Sequence, residues 1–219
     1  MEGDLSAGGI AERLLRVRRD IPAGVTLVAV SKSQPASALR EAYAAGQRDF
    51  GENYVQEWRE KAEALSDLPD VVWHFVGGLQ TNKVKYLVGK VGLIHTVDRE
   101  ELGREISRRS TQRGSPTRIL VEVNVGREAS KSGCDPERVG ELVASLSRLP
   151  HLEVAGLMCI PPVEGDPRNF FVAMREMRDR LRLRELSMGM SADYPEAIEA
   201  GATIVRVGTA IFGERAVPR

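Results

Sequence analysis

The sequence predicts an α/β protein, a single (β/α)8 barrel of the TIM type with an additional N-terminal helix. Two observations lead there. Short apolar, β-branched runs alternate with amphipathic stretches along the chain, the pattern of parallel strands covered by helices. About eight such units fit into 219 residues, the short end of the range for a closed barrel. An open doubly wound sheet gives the same alternation, but the number of units favours closure.

The first stretch, Ile10 to Arg19, has apolar residues at Ile10, Leu14, Val17 and Ile21, a helical spacing. It stands outside the eight-fold count and either plugs the bottom of the barrel or packs on its side. Val25 to Val30 is a short apolar run suited to a strand buried on both faces. A helix from Pro35 to Ala45 follows, stopped by Gly46. The second strand is short, at Arg48 to Phe50, and its helix runs from Tyr54 to Leu65. The third pair is Val71 to Val76 and Thr81 to Val88. The fourth is Leu93 to Val97 and Arg99 to Gln112, and the fifth is Arg118 to Val125 and Pro136 to Ser147. Leu152 to Met158 and Asn169 to Leu181 form the sixth. A weak strand, Glu185 to Met188, precedes a short helix at Tyr194 to Ala200. Thr203 to Val207 is the last strand, and Ala210 to Phe212 can begin a helical turn. No linker interrupts the series. Residues 1–219 therefore read as one domain, with 1–9 and 216–219 as loose ends.

Charge narrows the function classes. Lys+Arg and Asp+Glu number 31 each, and a balanced chain argues against nucleic acid or an anionic membrane as partner. The two cysteines form no disulfide framework and no zinc spacing. No metal site is expected. Met1 to Gly9 has no apolar signal-peptide core, and no run approaches the roughly 18 apolar residues of a membrane span. A cytoplasmic location is expected.

In such barrels chemistry sits at the C-terminal ends of the strands. Ser31-Lys32-Ser33 follows the first strand. Ser187 and Ser191 bracket the end of the seventh, and Arg206-Val207-Gly208-Thr209 ends the eighth. Glycine lets backbone N–H groups approach an anion, and a phosphate site after strands seven and eight recurs in barrels. Closure puts strand eight beside strand one, so Lys32 faces Arg206 and the phosphate cup. A lysine partly desolvated and near other cations favours the neutral amine that forms Schiff bases. This is the arrangement that pyridoxal 5′-phosphate (PLP) requires.

Eight segments then resemble one known family. They are Val28 to Pro35 (VAVSKSQP), Phe50 to Gln56 (FGENYVQ), Trp73 to Lys83 (WHFVGGLQTNK), Ser130 to Gly133 (SKSG), Gly156 to Pro161 (GLMCIP), Leu186 to Ser191 (LSMGMS), Ala197 to Gly201 (AIEAG) and Val205 to Gly213 (VRVGTAIFG). In this order they are similar to the YggS/PROSC family of PLP homeostasis proteins. The segment Val163 to Asn169 is short by comparison, and Ala192 stands where the family often has an acidic residue. The resemblance implies a fold-type III PLP barrel like the N-terminal domain of alanine racemase. It implies that Lys32 forms the Schiff base and that Arg206 approaches the pyridine nitrogen, leaving the ring a poorer electron sink. It places Ser187, Ser191, Gly208 and Thr209 around the phosphate. Met158 either packs on the ring or fills the barrel, and Asn53 either bonds the cofactor or braces its turn. His74 and His95 read as core histidines. Lys83 and Lys131 read as loop lysines, with Lys131 open as a secondary or transfer lysine.

The function implied is reversible PLP binding and homeostasis, with PLP-dependent apo-enzymes as recipients, no catalytic residues, and a monomeric state. The alternative is a PLP-dependent amino-acid racemase. A racemase needs an acid/base on each face of a planar intermediate, and the resembling racemases draw on a second β-domain. This sequence runs only to Arg219 after Val207, so the binding protein is the expected reading. A barrel for another phosphorylated metabolite would rest on the phosphate cup alone.

Overall fold

The structure is a computed structural model and describes residues 8–214. The expected loose ends at 1–7 and 216–219 lie outside the described residues; Gly8 and Gly9 are exposed. The chain order is α1 (Ile10–Arg19), β1 (Thr26–Val30), α2 (Ala36–Ala44), β2 (Asp49–Glu52), α3 (Val55–Ala64) and β3 (Val72–Phe75). A 3-10 turn (Thr81–Lys83) leads into α4 (Val84–Leu87). Then come β4 (Leu93–Val97), α5 (Glu100–Arg113), β5 (Thr117–Val123), α6 (Val139–Leu146), β6 (Leu152–Cys159) and α7 (Pro167–Arg180). The chain finishes with β7 (Glu185–Ser187), α8 (Tyr194–Glu199), β8 (Ile204–Val207) and α9 (Thr209–Phe212).

The eight strands are parallel and close in chain order into a barrel. Closure is made by β1 and β8, with Val28 beside Arg206 and Ala29 beside Val207. Most of the apolar core lies between the barrel and its helices, built from residues such as Leu39, Phe50, Phe75, Ile106 and Phe171. A smaller cluster fills the inside of the barrel: Val28, Leu93, Leu120, Ala155, Met158 and Ile204. Inward residues recur every second position because side chains alternate along a strand.

Element boundaries differ from expectation where polar residues are buried or turns intervene. β2 runs on to Glu52, because Gly51 and Glu52 pair with His74 and Phe75 of β3. α6 starts at Val139, since Arg138 N–H donates to Asp135 O at 2.9 Å and closes a turn first. α7 starts earlier than expected, at Pro167, where proline suits the first helical position. There Asp166 Oδ1 accepts from Arg168 N–H at 3.0 Å as the cap. α1 does not plug the barrel. It packs on the side against α2 and α9, with Arg13 Nε donating to Ile211 O at 2.7 Å and Asp20 accepting from the Tyr194 hydroxyl at 2.8 Å.

Candidate functional site

Along β1, Val28 and Val30 belong to the barrel's inner cluster, and the alternation carries Lys32 to the mouth, where it is half-buried. Its turn is clamped from the α3 side. Ser31 N–H donates to Gly51 O at 2.9 Å, and Ser31 Oγ donates to Glu52 Oε1 at 2.6 Å. Lys61 Nζ donates to Ser31 O at 2.6 Å, Glu52 Oε1 at 2.6 Å and Glu57 Oε1 at 2.7 Å. Ser33, in the left-handed region at φ 62°, donates its N–H to Glu57. The Lys61 and Glu52 side chains are 6% and 0% exposed. Burial pushes the Glu52 carboxyl above its ordinary range, against the pull of Lys61 and Ser31. Nothing in the sequence separates this clamp from a solvated Glu57–Lys61 pair at i,i+4; the signal is the tertiary burial alone.

A cavity of about 300 Å³ opens at the mouth, and Lys32, Asn53, Ser191, Arg206, Gly208 and Thr209 line it. Val30, Val76, Ile160, Met190 and Phe212 supply apolar wall. A wider groove of about 540 Å³ lies elsewhere, by Trp58, Arg59 and Trp73, and contains none of these residues. Ser187 and Met158 do not reach the cavity wall. Met158 pairs with Ser187, and Ser187 with Ile204, so they sit one alternation deeper than Arg206. Met158 fills the inner apolar cluster. Ser187 is fully buried, where its hydroxyl meets Arg206 and His95 and not the expected phosphate cup.

Arg206 is 5% exposed. Its NH1 donates to Ser187 Oγ at 2.7 Å and its NH2 to Cys159 O at 2.8 Å. Burial lowers its pKa, against the opposing pull of Cys159, Glu122 and Asp193. Neutral acceptors thus hold a buried cation, which favours a ligand that accepts hydrogen bonds or carries negative charge. Glu122 on β5 is 8% exposed. Burial, helped by Asp98 and opposed by Arg206, pushes its carboxyl up to about 7.

Just past the end of β8, Ser191 Oγ accepts from the N–H groups of Gly208 and Ala210, each at 3.3 Å. A Cβ at Gly208 would lie 3.1 Å from Val30 O, so glycine there lets the loop lie against β1. Asn53 is pinned by Gly77, where any Cβ would fall 2.1 Å from Asn53 O. Asn53 Oδ1 is buried with no hydrogen-bond partner among the described residues, an open acceptor in a cavity-lining residue. Amine, guanidinium, open acceptor and a hydroxyl with backbone donors fit an anionic, aromatic aldehyde such as PLP. Lys131 and Lys83 are not among the residues that line the cavity: Lys131 donates to Pro161 O at 3.1 Å, and Lys83 is exposed.

The sequence profile of the alanine racemase N-terminal domain family matches residues 5–216. A pyridoxal phosphate homeostasis protein of Aquifex aeolicus is 50% identical over 198 residues, 86% of each chain. The chain belongs to the pyridoxal phosphate homeostasis protein family. The Escherichia coli K12 protein of that name is 39% identical, covering 94% of this chain and 97% of its own. Among solved structures, PipY of Synechococcus elongatus with PLP bound is 42% identical, with a TM-score of 0.87 over 93% of this chain and all 100% of its own. Alanine racemase of Clostridium difficile has a TM-score of 0.79 at 12% identity, covering 95% of this chain and 57% of its own. That likeness shows the shared barrel alone.

Proposed function

We propose that this chain binds PLP at the barrel mouth, holds it reversibly through Lys32 and takes part in PLP homeostasis without sustained turnover. The carrying observation is that Lys32, Arg206, Asn53 and the Ser191–Gly208–Thr209 wall converge on one cavity. The reading draws further support from the relatives' names and from the PLP bound by the 42% identical neighbour. PLP supplies an aldehyde that condenses reversibly with a primary amine.

Each residue then has a separate task. Lys32 provides the amine. Arg206 only donates hydrogen bonds, so it would hold an unprotonated ring nitrogen of the cofactor. Ser191, Gly208 and Thr209 offer hydroxyl and N–H donors to the phosphate. Asn53 brings its open acceptor. Ser187 acts below them, as an acceptor for Arg206. Met158 supports the floor by packing.

Racemisation needs an acid/base on each face. Among the described residues, the cavity wall offers Lys32 but no Asp, Glu, His, Cys or Tyr, which favours holding over turnover. The same reading takes the chain as one PLP-binding domain and a monomer, working in the cytoplasm with PLP-dependent apo-enzymes as recipients.

Titration with PLP is expected to give one saturable visible band at 1:1 stoichiometry, absent in Lys32→Ala. Loaded protein mixed with a PLP-dependent apo-enzyme is expected to restore that enzyme's activity. If no band forms, or if Lys32→Ala binds PLP as the parent does, the reading fails.

A further inference from the structure

The barrel interior carries a row of polar contacts that leads away from the cavity. Arg206 NH1 lies 2.7 Å from Ser187 Oγ. Ser187 Oγ lies 3.0 Å from His95 Nδ1. His95 Nε2 lies 3.0 Å from His74 Nδ1, and His74 Nε2 lies 3.0 Å from Asp49 Oδ1. The five side chains come from β8, β7, β4, β3 and β2. Asp49 is the first residue of its strand, so the row ends toward the lower rim of the barrel. The first four residues are each at most 5% exposed, whereas the Asp49 side chain is 31% exposed.

With both rings neutral, the Asp49 end fixes the direction of every bond up to Ser187. Arginine only donates, and a carboxylate only accepts. Ser187 Oγ accepts from Arg206, and its own proton fills the contact to His95 Nδ1, which the neutral ring leaves bare. His95, accepting at Nδ1, carries its proton at Nε2 and donates it to His74 Nδ1. His74 in turn donates from Nε2 to Asp49. One proton per link satisfies all four contacts with both rings neutral. Run in the opposite direction with neutral rings, the row would turn a bare His74 Nε2 toward the Asp49 carboxylate, setting two acceptors face to face. Burial, with His74 and Arg206 nearby, holds His95 well below the ordinary imidazole pKa, in line with a neutral ring.

We propose that Asp49, His74 and His95 are positioning residues for Arg206, acting through Ser187 as a one-way hydrogen-bond relay. The relay keeps the Ser187 lone pair turned toward the guanidinium, and so fixes the cation at the cavity wall. It also couples that buried cation to an anion at the other end of the barrel through mutually polarising bonds. Two histidines that merely fill the core would need no common tautomer. The role for PLP rests on the function proposed above; the tautomers do not.

The test begins with 15N NMR of the protein without added PLP. The chain has 3 histidines, and exposed His151 serves as the internal reference. His74 and His95 are both expected with a protonated Nε2 and a bare Nδ1. Asp49→Asn is expected to disturb that pattern at both rings and weaken PLP binding by about fivefold. Ser187→Ala, which cuts the relay at its other end, is expected to cost a similar factor. The double variant is expected to bind no worse than the weaker single, because both changes break one chain. A proton on Nδ1 of either ring in the parent protein overturns the proposal. So do losses that multiply in the double variant, or parental PLP affinity in Asp49→Asn. The expected tautomers in a protein that binds no PLP would refute the cofactor reading and leave the relay standing.

Discussion

Two lysines flank the same turn after β1, and their surroundings are opposite. Lys61 is buried, with two carboxylates and a carbonyl within 2.7 Å. Its charge is committed to holding Ser31 and the start of α3. Lys32 is half-buried and lines a cavity whose wall, among the described residues, contains Arg206 and no carboxylate. One amine is set among anions, whereas the other lines a wall of guanidinium and apolar side chains. The fold therefore uses one lysine to hold the turn and sets the other on the cavity wall, with a single serine between them.

The comparison can be broken hardest at the clamp. Lys61→Met leaves Glu52 buried without its cation and is expected to cost about 3 kcal/mol, seen as a fall in the urea midpoint. Lys61→Met combined with Glu52→Gln should recover part of that loss, because no buried charge is then stranded. If the single variant is as stable as the parent, the clamp is not what holds the turn. On the cavity side, Arg206→Met is expected to weaken PLP binding by about 2 kcal/mol, the usual worth of hydrogen bonds from a charged donor. Isothermal titration checks it, and unchanged affinity would remove Arg206 from the site.

Glu122 sharpens the electrostatics beneath the cavity, in register with Met158. Its folded pKa, about 7, lies above its ordinary 4.5. A raised carboxyl contributes stability that is complete below pH 4.5 and lost as pH rises through about 7. The expected loss across that window is about 3 kcal/mol. Thermal midpoints of the parent should fall from pH 5 to 8 more than those of Glu122→Gln; parallel curves would contradict the assignment. The smallest effect concerns Ser33, at φ 62°. Ser33→Gly relieves a left-handed backbone at the cost of unfolded-state entropy, so stability should move by less than about 1 kcal/mol. The PLP band should be unchanged.

Much of this was legible in the sequence, for identifiable reasons. β1, β4 and β8 are apolar runs with turns at their ends, and their predicted bounds lie within a residue of those observed. Lys32, Asn53, Ser191, Arg206, Gly208 and Thr209 could be expected to share one cavity because each lies at or just past a strand end, and barrel closure gathers strand ends. Ser187 was expected at the phosphate cup but lies one layer deeper, and Met158, open between ring and core, lies in the inner core cluster, because a strand's depth in the barrel is set by register with its neighbours. β2 was cut short since Gly51 and Glu52 look like loop residues until Lys61 and Ser31 bury the carboxylate. The relay was out of reach. His74 and His95 each read as a satisfied core histidine, but their alignment between Asp49 and Ser187 needs strands distant in sequence to meet.

The central claim is that the amine facing Arg206 carries the cofactor. Reduction of the PLP-loaded protein with borohydride, followed by peptide mass mapping, tests it most directly. The account predicts one PLP-sized adduct, on the peptide containing Lys32. An adduct on Lys61, Lys83 or Lys131 instead, or one spread across exposed lysines, would contradict it.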